Sequence, residues 1–234
     1  MGTKKIEILN GVVTEFGLTP EQVIENWAVE GKISADFLNL VANKVKQPSN
    51  VNFKQPEIIL PGMFYYAKEN LISPDIIDGL RLSGVVGYVD DSKKHGLIIG
   101  LYDTELPWSS DFFGIGNFGV TDSGREVTKW ILAAAQEQGR KAEAVQWCAN
   151  YAFDGISEGS GFLPSKDEWQ KVAKNIRNVN LSLERVNARI LKGYYWSSSE
   201  CSANGGVWFV KLSDGKAFRN GKTNIFNVRC AFAF

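Results

Sequence analysis

Two glycine-rich patterns are the first places where this sequence could carry out chemistry. Residues 155–159 (GISEG) match the G-x-S-x-G pattern, in which a strained turn between a strand and a helix exposes a nucleophilic serine. Residues 114–119 (GIGNFG) match the G-x-G-x-x-G pattern, which binds a dinucleotide only where a strand precedes it and a helix opens on it. A predicted helix precedes the first pattern, and no βαβ unit surrounds the second. Both patterns therefore predict loops.

The acidic side chains and the single histidine form no catalytic or metal-binding set. Paired acids can transfer protons or bind calcium, but charged residues are common in turns and the sequence contains no EF-hand spacing. His95 precedes an apolar strand and has no evident Ser or Cys partner. We therefore predict no catalytic residue, no metal site and no cofactor, and expect that the chain is not an enzyme. The acids that we place in predicted turns are Asp90, Asp91, Asp103, Glu105, Asp111 and Asp122.

The three cysteines, Cys148, Cys201 and Cys230, form no CxxC pair and cannot build a Cys/His zinc site with one histidine. Cys148 lies on the inward stripe of a predicted helix, and Cys230 lies on the inward side of the last predicted strand. The two side chains could therefore meet. In an oxidising compartment they would form a stabilising disulfide, and in a reducing one they would be small buried apolar groups. The residues alone leave both alternatives open.

Composition and charge exclude two classes of partner. The 26 basic and 26 acidic residues cancel, so no basic surface is available to neutralise the phosphates of a nucleic acid. No apolar stretch is long enough to span a bilayer, and we expect no membrane insertion. The N-terminal residues 1–13 contain no apolar run that could form the core of a signal peptide.

The sequence divides into a helical N-terminal segment with a linker, residues 1–55, and a larger domain, residues 56–234. Thr19 and the residues after it supply an N-cap, a proline at the first helical position and a capping-box glutamine. Ser34 begins a second predicted helix with one apolar stripe. Residues 47–56 (QPSNVNFKQP) have the composition of a linker.

The larger domain is predicted to belong to the α+β class, because strands precede and follow a helical middle. Ser123 and the pair Ser165–Glu168 carry N-cap and capping-box signals. Strands are predicted at 62–67, 82–89 and 96–101 and through the closing residues, and helices at 123–138, 142–152, 165–176 and 181–190.

The closing segment, residues 194–234, interleaves regular and irregular positions. In a strand, residues two apart share a face, so Trp208 and Val210 should point into the core and Phe209 and Lys211 away from it. A phenylalanine beside a lysine on an outward face is typical of a contact surface. The predicted ligand-binding residues are Cys201, Asn204, Gly205, Phe209, Lys211, Phe218, Asn220, Thr223, Asn224 and Phe226.

The order of these motifs resembles the C-type lectin fold in its bacterial and phage form. The resemblance covers roughly residues 57–234 and implies a C-type lectin-like fold, in which the helix cysteine and the last-strand cysteine, here Cys148 and Cys230, commonly pair. The motifs that carry it are AVQWCANYA (144–152), GFLPSKDEW (161–169), YYWSSSE (194–200), VWFVKLSDG (207–215) and VRCAFAF (228–234).

A narrower resemblance is to the variable proteins of diversity-generating retroelements, in which error-prone copying at adenines rewrites the end of a lectin-like domain. Asparagine codons are the usual targets, and Asn204, Asn220, Asn224 and Asn227 lie between positions that look fixed. This resemblance implies a non-enzymatic protein with a diversifiable surface, carried on a phage tail or a bacterial cell surface, that binds a protein or other cell-surface ligand. The alternative is an adhesin or pilus-tip-like module with an unvarying tail.

Two related functions match less well. Calcium-dependent lectins of this fold carry Glu-Pro-Asn and Trp-Asn-Asp motifs, and neither occurs in this sequence. Formylglycine-generating enzymes use two cysteines a few residues apart, whereas Cys201 and Cys230 are far apart in the sequence. Calcium-dependent sugar binding and an oxidase of that type are therefore less favoured than the binding functions.

We expect a chain that begins at Gln55 to fold without the N-terminal segment. The apolar stripe of the two predicted helices is small, and a polar linker separates them from the rest. Circular dichroism and thermal melting of the shortened chain test this. One cooperative transition would support the predicted boundary, whereas an insoluble or non-cooperative chain would show that the helices belong to the core.

Overall fold

The computed structural model divides the chain into two compact units, Met1–Asn52 and Phe53–Phe234. In the first unit the described backbone forms an antiparallel pair, β1 (Ile8–Leu9) and β2 (Val12–Val13), where the sequence predicted helical structure. The helices predicted after Thr19 and Ser34 lie outside the described residues. Those residues are 54–111, 113–114, 123–152, 155–201 and 206–234, together with the backbone of 8–9 and 12–13.

The second unit is a mixed α+β domain, as predicted, with one eight-stranded sheet and four helices in its described part. The strands are β3 (Phe64–Tyr66), β4 (Leu71–Ser73), β5 (Gly84–Val89), β6 (Gly96–Pro107), β7 (Tyr194–Glu200), β8 (Gly206–Lys211), β9 (Lys216–Gly221) and β10 (Ile225–Ala233). The helices are α1 (Gly124–Glu137), α2 (Glu143–Ala149), α3 (Lys166–Lys174) and α4 (Ile176–Arg185). In the sheet the strands follow the order β4-β3-β5-β6-β10-β7-β8-β9.

The capping signals of the sequence place two helices correctly. The Ser123 hydroxyl accepts a hydrogen bond from the backbone N–H of Glu126 and begins α1. Ser165 and Glu168 form the predicted capping box of α3, and the buried Glu168 carboxylate also accepts the N–H of Gly124 at 3.1 Å. One carboxylate therefore binds the first turns of two helices. The helix predicted to begin at 181 instead begins at Ile176, directly after α3.

Strand β6 is longer than the predicted strand at 96–101, because β10 pairs with it as far as Pro107. Asp103 and Glu105 consequently lie within a strand, and their prediction as turn residues was wrong. The side chain of Asp103 is buried and lies 3.6 Å from Arg229, and its Oδ2 accepts a hydrogen bond from the hydroxyl of Tyr195 at 3.2 Å. Pairing with a long final strand is a non-local effect that a local sequence pattern does not contain.

Both faces of the sheet are buried in its central part. We call the face that carries Trp196 and Phe209 the front face, and the face that carries Tyr195 and Val210 the back face. Helices α1 and α2 pack on the front face, whereas α3 and α4 pack on the back face. The apolar core therefore forms two layers on either side of one sheet.

This arrangement corrects the predicted orientation of β8. Val210 and Leu212 are buried on the back face, as expected, but Phe209 is also buried, with only 8% of its surface exposed. The prediction that Phe209 points away from any core was wrong, because the front face has a core of its own. Trp208 is only half-buried, and the Lys166 ammonium lies 5.4 Å from the centre of its ring.

Cys148 and Cys230 lie in the front-face core as free, fully buried thiols. Burial raises the pKa of the Cys148 thiol well above its usual value, and the neighbouring Cys230 raises it further. The two side chains are thus brought together, as the sequence suggested. The disulfide implied by the family resemblance stays a prediction.

Replacing Trp169 with alanine should destabilise the domain by about 3–5 kcal/mol, because this ring is fully buried and its removal leaves a cavity. Replacing the half-buried Trp208 should cost about 1–2 kcal/mol, since less apolar surface is lost. Urea unfolding followed by circular dichroism measures both free energies. Equal losses in the two variants would contradict the difference in burial between the two rings.

Candidate functional site

Four aromatic rings cluster on the front face, next to the part of the sheet that α1 and α2 cover. Strand register places them there: Trp196 is opposite Phe209, and Phe209 is opposite Phe218. The rings of Phe209 and Phe226 stack at 4.3 Å, and those of Phe209 and Phe218 stack at 5.7 Å. Tyr194 stands edge-on to Phe218 at 6.2 Å. We call Tyr194, Phe209, Phe218 and Phe226 the aromatic face.

The aromatic face is open to solvent at its top and closed at its base. Tyr194 is 39% exposed and Phe218 is 41% exposed, whereas the underlying Trp196 is fully buried. The Trp196 indole donates a hydrogen bond to the Leu106 carbonyl at 3.1 Å, which fixes the ring beneath the cluster. Exposed rings on a rigid apolar base are a typical feature of the centre of a binding site.

A groove continues the aromatic face towards α2. Leu106 is paired with Phe226 across β6 and β10, and it lines one wall of this groove. The groove has a volume of about 660 Å³ and is lined largely by apolar atoms with amide and charged groups between them. Its other walls include Lys141, Gln146, Trp147, Asn150 and Tyr151. Such a mixture of apolar surface and a few polar groups suits a ligand pocket.

Lysines form one border of the aromatic face. Lys211 lies opposite Tyr194 on β7 and opposite Lys216 on β9. The Lys211 ammonium lies 3.6 Å from the Asp214 carboxylate in the intervening turn. The backbone N–H of Lys216 holds the pKa of Asp214 below its usual value, and the two ammonium groups lower it further. Asp214 is therefore a carboxylate at neutral pH.

The turn between β9 and β10 forms a second border. The side chain of Asn224 donates hydrogen bonds to Asn220 Oδ1 at 3.1 Å and to the Gly221 carbonyl at 3.2 Å. Asn220 Oδ1 also accepts the N–H of Gly221. These predicted contact residues therefore shape the turn, while Asn224 and Thr223 remain exposed on it.

A buried ion pair fixes this turn to the frame. Lys222 is fully buried, and its ammonium donates hydrogen bonds to Glu200 and to the Phe113 carbonyl. The same ammonium lies 4.3 Å from the ring centre of Trp108 and 4.8 Å from that of Phe113, in cation–π geometry. Burial lowers the pKa of Lys222, and the hydrogen bond to Glu200 opposes that change.

The structure brings together only some of the ten predicted ligand-binding residues. Phe209, Phe218 and Phe226 form the aromatic face, although Phe209 is its buried base. Cys201 is half-buried at the end of β7, next to Lys222. Asn204 and Gly205 lie outside the described residues, and the others, Lys211, Asn220, Thr223 and Asn224, form the borders.

Several residues of the surface were missed by the sequence interpretation, among them Tyr194, Leu106 and Trp147. Tyr194 could have been found, because it is two residues before Trp196 in a predicted strand and must share its face. Leu106 and Trp147 could not, because the length of β6 and the exposed side of α2 depend on tertiary packing. Both border the groove.

The described residues contain no group of three or more His, Cys, Asp or Glu side chains placed to hold a metal ion. The GISEG pattern lies in a turn in which Ser157 is exposed, and most of the GIGNFG pattern lies outside the described residues. No helix within the described ranges is long and apolar enough to cross a membrane.

Comparison with known proteins shows a likeness to solved structures but not to a sequence family. No protein-family model matches the sequence, and no curated protein matches it. Among solved structures, a fimbrial protein from Bacteroides ovatus ATCC 8483 is similar, with a TM-score of 0.60 and 18% sequence identity. The match covers 75% of this chain and 49% of that protein, so the likeness spans about half of the fimbrial protein's length. At this identity the similarity concerns the fold alone.

The buried pair is expected to show strong coupling. Lys222→Met should destabilise the domain by about 3–5 kcal/mol, because it removes one member of a buried ion pair. The double variant Lys222→Met/Glu200→Leu should be more stable than that single variant, since both members of the pair are then replaced by apolar side chains. Urea unfolding of the wild type, both single variants and the double variant measures the coupling. Simply additive losses would show that the two groups do not depend on each other.

Proposed function

We propose that this chain is a non-enzymatic ligand-binding module that is displayed on a bacterial or phage surface and binds through its aromatic face. The observation that carries the proposal is the exposure of Tyr194 and Phe218 above the buried Trp196. Large exposed rings are costly in water unless a partner covers them, and aromatic residues are prominent among the residues that dominate binding energy. The groove beside α2 extends the same surface.

The scaffold is proposed to be C-type lectin-like. Its support is the placement of the motifs that suggested the resemblance: a helix with Cys148, the capping-box helix after Ser165, and the strands that contain Trp196 and Arg229. These elements pack around one sheet. The fold likeness to a fimbrial protein favours a module for surface attachment over a soluble catalyst.

We further propose that the exposed end of the sheet tolerates sequence change, as in the variable proteins of diversity-generating retroelements. The support is a separation of roles along the closing segment. The serines after Trp196, together with Glu200 and Arg229, are buried, whereas Phe218, Thr223 and Asn224 are exposed. Phe209 and Phe226 pack beneath these residues and would be restricted to apolar side chains.

An invariant adhesin is the second candidate, and the fold likeness to a fimbrial protein favours it. Sequencing the same locus from many isolates separates the two. Adenine-directed substitutions concentrated at 218, 223 and 224, with Glu200 and Arg229 unchanged, would support diversification. An unvarying segment, or changes spread evenly over the domain, would support the adhesin.

The binding function is tested with fluorescently labelled protein on a panel of intact bacterial and epithelial cells. The double variant Tyr194→Ala/Phe218→Ala should lose at least about tenfold in affinity, because anchor rings at the centre of an interface each contribute more than about 1 kcal/mol. Leu181→Ala is the matched control, since Leu181 is 52% exposed on α4. Chelation of calcium should leave binding unchanged.

Both variants should still melt in one cooperative transition, because none of the three replaced side chains is fully buried. Cell binding by the double variant that equals binding by the control would contradict the proposal. Binding that disappears on chelation of calcium would instead indicate a metal-dependent lectin.

A further inference from the structure

Two lysines face each other across neighbouring strands, and only one of them forms an ion pair with a carboxylate within the described residues. Lys211 and Lys216 are direct cross-strand partners on β8 and β9. Such partners have Cβ atoms about 5 Å apart, where like charges destabilise a sheet. Asp214 pairs with Lys211, but Lys216 forms no ion pair within the described part of the chain. The end of the β8–β9 hairpin therefore carries two ammonium groups and one carboxylate, an excess of one positive charge.

The excess charge borders the open end of the aromatic face. Register places Tyr194, Lys211 and Lys216 side by side in one row across β7, β8 and β9. The adjacent row on the same face contains Trp196, Phe209 and Phe218. A ligand lying on the exposed rings would therefore have an ammonium group at its edge.

The geometry restricts the shape of such a ligand. Tyr194 and Phe218 meet at an interplanar angle of 80°, so they form a corner of two exposed rings. Strands β7 and β8 are inner strands, whereas β9, which carries Lys216 and Phe218, is an edge strand of the sheet. Here an extended peptide could pair only with the outer edge of β9, two strands away from Tyr194 on β7, so recognition in the corner between the two rings depends on side chains.

We propose that the aromatic face and the lysine pair bind an acidic sugar of a surface glycan, with the sugar ring on Phe218 and Tyr194 and its carboxylate at Lys211 and Lys216. The C–H groups of a pyranose are slightly positive because each carbon bears oxygen, and they suit the negative faces of aromatic rings. A carboxylate fixed to that ring supplies the complementary charge. This inference rests on the proposed binding function and names its ligand class.

The test uses matched oligosaccharides displayed on polyacrylamide: sialyllactose against lactose, and trigalacturonate against its methyl ester. By biolayer interferometry the carboxylated member of each pair should bind at least about tenfold more tightly, as expected for a charge-assisted contact. Lys216→Gln should reduce that preference at least about fivefold. Lys94→Gln, in the exposed turn before β6, is the control and should change nothing.

Several outcomes would overturn the acidic-sugar assignment. Equal binding of the carboxylated and the neutral oligosaccharide in each pair would show that the lysines do not bind a carboxylate. An unchanged preference for the carboxylated member in Lys216→Gln would show the same. Tighter binding of an acidic peptide such as Glu-Glu-Tyr-Glu-Glu would assign the face to a protein ligand. If no sugar binds while the aromatic face still determines cell binding, the assignment fails and the binding function stands. If the double variant Tyr194→Ala/Phe218→Ala also binds cells as the wild type does, both the acidic-sugar assignment and the proposed binding function fail.

Discussion

The sheet of this protein depends on its last strand. Strand β10 pairs antiparallel with β6 and parallel with β7, so it joins the four strands on one side to the three that carry Tyr194, Phe209 and Phe218. Arg229 on this strand is fully buried and donates hydrogen bonds to the Gly100 carbonyl at 2.7 Å and to the Arg189 carbonyl at 2.9 Å. Burial lowers the pKa of Arg229, and the nearby Asp103 opposes that change. One guanidinium therefore connects β10, β6 and the segment that leads into β7.

This constraint explains how a surface can be open and rigid at once. The rings of the aromatic face lie on strands whose backbones are fixed by Arg229 at one end and by the Lys222–Glu200 pair at the other. Trp196 fills the space beneath them and is itself hydrogen-bonded. Side chains above such a base can be replaced without creating a cavity in it, which is the physical requirement for a binding surface that changes its specificity.

The sequence predicted what depends on local signals. The caps at Ser123 and Ser165, the α+β class and the alternation along β8 are short-range features, and the structure has them. The sequence-based prediction misplaced Phe209. Alternation along a strand distinguishes the two faces of the sheet, but it does not reveal that helices cover both of them. The same prediction placed Asp103 in a turn, because pairing with β10 comes from the far end of the chain. The aromatic face was found only in part, because Tyr194 was missed although it shares a face with Trp196. Leu106 lines the adjoining groove, and only the length of β6 places it there.

The proposed binding function requires that a ligand covers the exposed rings of the aromatic face. Hydroxyl-radical footprinting with mass spectrometry, on the protein free and bound to intact cells, tests it most directly because aromatic side chains are labelled in proportion to their exposure. We predict that bound protein loses labelling at Tyr194 and Phe218, while Trp130, which is 48% exposed on α1, is labelled as before. Unchanged labelling of Tyr194 and Phe218, with protection elsewhere on the domain, would contradict it.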